Sequence, residues 1–478
     1  MNKHIIQYIA AFIVIVGFFS CATRHYERPS LDMPDNYRST DSISTDYIAM
    51  NDSGIATVPY KSFFDNKELV TLIDSGIARN YDLQTAIKQI AYSQEALKQA
   101  KLGNIPTVSF TAANASITRS SDNSLNGSLA SQFLGKSYVT DYTSYLGISW
   151  EADIWGKIKN RKSAALAAYL QTEEAKKAVQ TQLVASIAQG YYNLLLLDEQ
   201  QRITENSIRL YDSTIQMTKV LQESGSVNEL AVQQQEAARE AAKATLPQIE
   251  QQIAVQENAL KVLTGDNPGK ISRGNSLEML HPADALSTGY PANIVSNRPD
   301  VKQAELGIVQ ALGLENVAHA SMYPSLNISA QGGLDAVDFK NWFNIPGSLF
   351  GAALGGITAP VFQGRQLKTQ YRQAKISTDI AELQFKKSVQ TALQEVSNAL
   401  VETDKLKSRE TYLQNQVTLL TGAVANARLL FANGQSNYLD VLTAQGNLLQ
   451  ARLTLAAVKS QRLDADVTLY QALGGGWK

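Results

Sequence analysis

The sequence predicts a mainly α-helical chain that carries a few membrane β-strands and is built from two internal repeats. Three observations carry this reading. Helical patterns run unbroken for about 60 residues, the order helix, two strands, long helical hairpin occurs twice, and one strand alternates apolar and polar residues.

At the N-terminus, Lys3 and His4 precede an apolar run from Ile5 to Phe19, followed by Ser20, Cys21 and a polar stretch. A run of about fifteen residues is shorter than the ~20 needed to span a bilayer, so it reads as a signal-peptide core. A small residue directly before a cysteine resembles a bacterial lipoprotein signal, in which the cysteine becomes the new N-terminus and carries lipid. Phe18 stands where that pattern usually has leucine. The expectation is a lipoprotein signal over 1–20, lipidation at Cys21, and a tether over 21–60 carrying Pro29, Pro34 and Pro59. Cys21 is the single cysteine, so no internal disulfide forms. No later segment offers 18 consecutive uncharged apolar residues, so any further membrane crossing uses β-strands.

After the tether the chain appears twice, as repeats over 61–270 and 271–478. In the first, a helix from Lys67 to about Gly103 stops before Pro106. Strands are expected at Thr107 to Thr118 and Tyr138 to Glu151, with a polar loop from Ser120 to Lys136 between them. The turn Ile154-Trp155-Gly156-Lys157 opens a long helix to about Glu223, Gly225 turns the chain, and a second helix runs from about Leu230 to Leu263. In the second repeat, Pro299 opens a helix to about Ser321, and strands follow at Ser325 to Leu334 and Ser348 to Phe362. A long helix then reaches Ala432, Gly434 turns, and the last helix ends near Leu473. Gly225 and Gly434 are 209 residues apart, as are Gly265 and Gly474. Coincident spacing of turn and stop argues for duplication.

Helices of about 60 residues reach roughly 90 Å and need coiled-coil partners. Val179, Leu183, Ile187, Tyr191 and Leu194 fall on one face of the first. The Gln, Ala and Ser content leans toward helices wetted on one side, with a dry antiparallel bundle as the alternative. In the strand from Tyr138, the set Tyr138, Thr140, Tyr142, Ser144, Leu146, Ile148 and Trp150 is largely apolar or aromatic, and the intervening set is mainly polar. That period suits a strand between lipid and water, and equally a half-buried strand in a soluble sandwich. Four strands do not close a membrane barrel, so several chains would have to share one.

Composition excludes other classes. There are 43 Lys and Arg against 44 Asp and Glu, with no basic stripe of the kind nucleic acid needs. The four histidines are scattered, and no His/Cys cluster has metal-ligand spacing. The segment Gly265 to Ser272 fails as a phosphate loop, because three residues separate Gly265 from Gly269 and Ile271 stands at the metal-binding hydroxyl position. Neither an enzyme nor a cofactor is expected.

Four segments then resemble one family. They are Arg298-Pro299-Asp300-Val301 leading to Tyr323-Pro324; Trp155-Gly156 with its counterpart Gln363-Gly364-Arg365; Gly434 with Tyr438-Leu439-Asp440-Val441-Leu442; and Leu263, Gly265 and Pro268-Gly269 with Ala472-Leu473-Gly474-Gly475-Gly476-Trp477. In order and spacing the chain resembles the outer-membrane factor family, the TolC- and OprM-like channels, in its lipidated NodT-type branch. The resemblance implies a homotrimer in which each chain gives four strands to one transmembrane β-barrel and its helices to a long coiled-coil α-helical barrel. It implies an outer-membrane protein with a large periplasmic portion, a passive gated duct exporting drugs and toxic compounds. The implied partners are a periplasmic adaptor (membrane fusion protein), an inner-membrane transporter of the resistance-nodulation-division type, and outer-membrane lipid. An exit duct for type I protein secretion and a lipid-anchored periplasmic scaffold are the alternatives.

The same resemblance places residues. The hairpin turns at Gly225 and Gly434 would form an inner tip touching the adaptor, with Asn228, Leu230, Ser436, Asn437, Leu439 and Val441 as contacts. Asp440 would line a periplasmic gate as an acidic ring of three. Some relatives carry a second aspartate where this chain has Thr443, and some carry an arginine where it has Ser436. Ala231 replaces the matching aspartate in the first repeat. From the residues themselves, Asp440 suits a helix N-terminus, Arg298-Pro299-Asp300 reads as a structural helix start, and Tyr138, Tyr142 and Trp150 are candidate membrane-interface aromatics.

Overall fold

The computed structural model describes residues 24–31, 33–34, 55–121, 123–136, 138–280, 282 and 293–478. Cys21, the apolar leader and most of the tether lie outside the described residues. In chain order the main elements are α1 (Lys67–Arg79), α2 (Tyr81–Lys101), β1 (Thr107–Arg119), α3 (Leu125–Leu134), β2 (Tyr138–Ala152), α4 (Lys157–Glu223) and α5 (Glu229–Leu263). Then come α6 (Pro299–Ala320), β3 (Ser325–Ala336), β4 (Leu349–Thr358), α7 (Gln366–Ala432) and α8 (Tyr438–Ala472). The duplication is visible in lengths: α4 and α7 have 67 residues each, and α5 and α8 have 35 each. At ~1.5 Å per residue the longer pair reach roughly 100 Å.

Residues group into two compact units, and each draws on both repeats. The first unites residues 24–29 with Tyr92–Leu170 and Glu305–Leu383. Its centre is an antiparallel meander in the order β1-β2-β3-β4. The register extends the alternation of β2 across the sheet. Phe110, Leu146, Gly332 and Gly351 stand in one cross-strand row, and Val108, Ile148, Ala330 and Ala353 in another on the same face. The opposite face carries Thr107, Ser149 and Ser329 in one row, and Ser109, Gly147 and Gln331 in the next. Phe350 and Leu354 of β4 break that polar pattern. The pairing of β1 with β2 shifts between Thr111 and Asn114, a bulge that bends the edge strand. Among the described residues, β1 and β4 each leave one edge unpaired. Such long open edges are sites for pairing with another chain.

Two expectations here are corrected. The stretch Ser120 to Lys136 holds the helix α3, because Leu125, Leu129 and Phe133 recur every four residues within polar composition. The helix expected from Lys67 to Gly103 is broken at Asn80, which adopts extended dihedrals. Its side chain accepts from the Leu83 amide at 3.0 Å and donates to the Leu263 carbonyl at 3.0 Å.

The second unit unites residues 55–91 with Gln171–Ala304 and Gln384–Lys478. On α4, Leu183, Ile187, Tyr191 and Leu194 are buried as one stripe, and Val179 is half-buried. Phe385, Val389, Ala392 and Val396 do the same on α7. Both hairpins end alike. Gly265 (φ +68) lies so close to the Arg79 carbonyl that a Cβ would sit 2.5 Å from its oxygen, and Gly474 (φ +95) approaches the Asn297 carbonyl at 2.7 Å by the same measure. Beside it, buried Arg298 donates to the Ala472 carbonyl at 2.8 Å and pairs with Asp300 and Glu395, each at 2.6 Å. The Arg298-Pro299-Asp300 segment thus fastens the end of α8.

Candidate functional site

The hairpin turns are built alike in the two repeats. After α4, the Ser226 amide donates back to the Leu221 carbonyl at 2.8 Å; after α7, the Gln435 amide donates to Leu430 at 2.8 Å. Gly225 (φ +75) and Gly434 (φ +70) supply the left-handed residue that this closure requires. Asn228 then caps α5 by accepting from the Ala231 amide at 3.2 Å. Asn437 caps α8 by accepting from Leu439 and Asp440 amides at 2.8 and 3.1 Å.

Asp440 completes a capping box. Its Oδ2 accepts from the Asn437 amide at 3.3 Å and from the Ser436 hydroxyl at 2.7 Å. The carboxylate is exposed, so its capping role leaves it open to solvent. Thr443, nearly one turn on, is exposed too. Leu230 and Leu439, equivalent in the two repeats, are 49% and 46% exposed apolar tips. Val441 behaves otherwise. It is fully buried, as is its counterpart Val232 nearly so, and it packs the hairpin rather than offering a surface.

Above the turns lies a buried polar layer that sequence reading missed. Thr214 and Thr218 are successive inward positions on α4. Gln445 of α8 donates to the Thr214 hydroxyl at 2.7 Å, and Thr218 donates to Gln235 of α5 at 3.2 Å. One α4 helix is therefore linked to both repeats. Gln445 Oε1 and Gln235 Nε2 have no hydrogen-bond partner among the described residues. Nothing in a run of Gln and Thr distinguishes such a layer from a solvated face. Further along α8, burial and the nearby Glu402 charge push the Asp464 carboxyl up to about 7.

In the first unit, the expected interface aromatics hold defined places. Tyr142 packs edge-on to Phe339 at 5.5 Å and beside Trp342 at 5.7 Å. Lys136 lies 5.5 Å from the centre of the Tyr138 ring. Trp150 donates its indole N–H to the Asn104 carbonyl at 3.0 Å. Tyr142 and Trp150 stand eight positions apart, roughly 26 Å along the strand at ~3.3 Å per residue, which a barrel tilt of ~40° turns into roughly 20 Å of height against an apolar band of ~25 Å. Just past the strands, Trp155 stacks on Tyr323 at 4.9 Å and donates to the Pro324 carbonyl at 2.7 Å.

A strap was also invisible in the sequence. The Arg24 amide donates to Asn316 Oδ1 at 3.1 Å, and Asn316 Nδ2 donates back to the Arg24 carbonyl at 2.9 Å. Tyr26 and Arg28 both donate to Glu305, at 2.7 and 2.6 Å. Burial, then the bond to Glu305, pushes the Tyr26 phenol up to about 12.

These elements match known proteins. The family model described as outer membrane efflux protein matches residues 72–266 and 291–475. The chain belongs to the outer membrane efflux protein family. The cation efflux system protein CusC of Escherichia coli O6:H1 is 27% identical over 474 residues, covering 98% of each chain. The probable efflux pump outer membrane protein TtgC of Pseudomonas putida is 30% identical over 439 residues, covering 89% of this chain and 87% of the relative. A crystal structure of CusC superposes with a TM-score of 0.81 at 24% identity, over 95% of this chain and 99% of that one. The open state of the Neisseria gonorrhoeae MtrE outer membrane channel gives 0.82 at 23% identity, over 96% and 98%. This outer membrane efflux protein is thus an outer-membrane component of an efflux system, with a helical portion and a β portion, and it is not an enzyme.

Proposed function

We propose that three copies of the chain assemble into one gated export duct, anchored by lipid at Cys21 and fed by an inner-membrane pump through a periplasmic adaptor. The observation that carries this reading is the sheet. One face is largely apolar across all four strands, the other is mainly polar, and among the described residues both outer edges are open. A four-stranded piece with lipid on one side and water on the other has no stable isolated form. Closing edge to edge with two further copies satisfies every strand in a twelve-stranded barrel.

The tips take the partner roles. Exposed Leu230 and Leu439, flanked by the capping residues Asn228 and Asn437 and by Ser436, offer an adaptor two similar apolar knobs, one from each repeat. Three copies of Asp440 form an acidic ring at the periplasmic gate, with Thr443 nearby. The strap supports lipidation. Arg24, bound to Asn316 four residues before α6 ends, follows Cys21 by three residues in the chain, so the strap ties the segment after the anchor to α6. A transporter of the resistance-nodulation-division type supplies the energy, and the cargo is small: relatives of this chain are a cation efflux protein and a toluene efflux pump protein. The test is accumulation. Cells lacking the gene should retain more of a panel of dyes, solvents and metal cations, and the intact gene should restore export. Unchanged retention across the panel overturns the reading.

A further inference from the structure

The helix α7 begins against the usual electrostatic preference, and α4 does so within its own residues, its Ile158 and Lys159 amides being capped from outside by the Asp153 carboxylate at 2.9 and 2.8 Å. Residues 157–172 carry Lys157, Lys159, Arg161 and Lys162 and no carboxylate, and residues 359–378 carry Arg365, Lys368, Arg372 and Lys375 and no carboxylate. Neither helix has an acidic residue in its first turn. A helix start carries partial positive charge, so four cations there are unfavourable unless anions neutralise them. At α4 the chain supplies two, Glu151 paired with Lys157 at 2.9 Å and the capping Asp153. Lys159, Lys162, Lys368, Arg372 and Lys375 are exposed and form no ion pair among the described residues.

Their direction is readable. Lys368, Lys375 and Glu382 follow at seven-residue steps and share one face of α7, with Arg372 close to it. Glu382 receives Arg24 of the strap at 3.3 Å. Lys159 lines a cavity of about 480 Å³ together with Arg24. The cationic face is therefore the one on which the strap lies. Immediately before it, between β4 and α7, Val361 and Phe362 are 95% and 88% exposed. Two bare apolar side chains followed within the first three turns of α7 by three unpaired cations is the order of a bilayer boundary, acyl chains first and phosphates next.

We propose that this surface, Val361 and Phe362 with Lys368, Arg372 and Lys375 and with Lys159 and Lys162 of α4, binds anionic phospholipid headgroups of the periplasmic leaflet. The phosphodiesters supply the counter-charge that the start of α7 lacks, and Val361 and Phe362 follow the end of β4 by three and four residues. It would fix the depth at which the sheet sits in the bilayer. The proposal rests on the membrane-embedded reading of that sheet.

The test is native mass spectrometry of the full-length oligomer released from detergent with phosphatidylglycerol or phosphatidylethanolamine added. The unaltered protein should retain phosphatidylglycerol over phosphatidylethanolamine by on the order of tenfold. The preference should vanish in the variant K159Q/K162Q/K368Q/R372Q/K375Q and persist when the same positions exchange Lys for Arg and Arg for Lys. On the unaltered protein, 0.5 M salt should erase the preference, and inorganic phosphate at the lipid's concentration should not. An intact oligomer that retains both lipids equally, or a Gln variant that keeps the preference, overturns this surface and leaves the channel reading standing. Displacement of the lipid by equimolar phosphate overturns it in favour of a free-anion site. A protein that yields no oligomer overturns the channel reading and this surface with it.

Discussion

Replacing Leu146 with arginine should block assembly, and replacing Gln331 with arginine should not. The two positions are matched in depth. Leu146 pairs with Gly332 and Gln331 pairs with Gly147, so they lie one residue apart along the sheet and differ only in face. Leu146 sits midway between Tyr142 and Trp150, near the bilayer centre if those aromatics mark its borders. An arginine facing lipid there costs about 2–4 kcal/mol, a factor of roughly 30 to 1,000 in the inserted fraction. Three copies per barrel triple the free-energy cost. Arginine at Gln331 faces water in the lumen and should cost under ~1 kcal/mol. The assay is the fraction of protease-protected, gel-stable oligomer after insertion into vesicles. Equal loss in both variants, or a larger loss for Gln331→Arg, would refute the assignment of faces.

Three further outcomes follow from the helical portion. Gly265→Ala should lower stability by at least ~1–3 kcal/mol, from strain at positive φ and collision with the Arg79 carbonyl, read as a fall in melting temperature. Asn437→Ala should cost about 1 kcal/mol by uncapping α8 and freeing Asp440, while Asn437→Asp should cost far less; equal losses would discredit the capping argument. Asp464→Asn should flatten the pH dependence. The folded carboxyl holds its proton to about pH 7 against 3.8 for the ordinary group, so this residue favours folding at low pH and that advantage is lost as pH rises from about 4 to 7. The stability difference between the unaltered protein and Asp464→Asn, followed by urea unfolding, should change across that window and level off above it. A difference independent of pH would contradict it.

Much of the fold is legible in the residues because it is periodic. The 209-residue spacing of Gly225 and Gly434 located both hairpins, since only a left-handed residue closes that turn. The alternation in β2 anticipated a two-faced strand, and the register then carried it across the sheet. What escaped depends on contacts distant in sequence or on local composition that misleads. Asn80 ends one helix and starts the next, yet apolar spacing runs through it without a break. The polar stretch around α3 conceals a stripe of three apolar residues. Val441 lies in a motif expected at a surface, and the helix phase set by Asn437 turns it inward. The link between Gln445 and Thr214, 231 residues apart, and the clasp of Asn316 on the Arg24 backbone, 292 apart, use side chains that look like any solvated amide until the fold brings them together. The cationic helix starts stand in the sequence but raised no expectation, because only their position beside the strands and the strap gives them a direction.

The most direct test of the central claim is electron microscopy of the full-length protein extracted from membranes in detergent. The account predicts a threefold particle in which β1 of one copy pairs with β4 of the next to close a barrel, continued by a helical tube of roughly 100 Å. A monomer whose sheet edges stay open, or a rod with no barrel end, would contradict it.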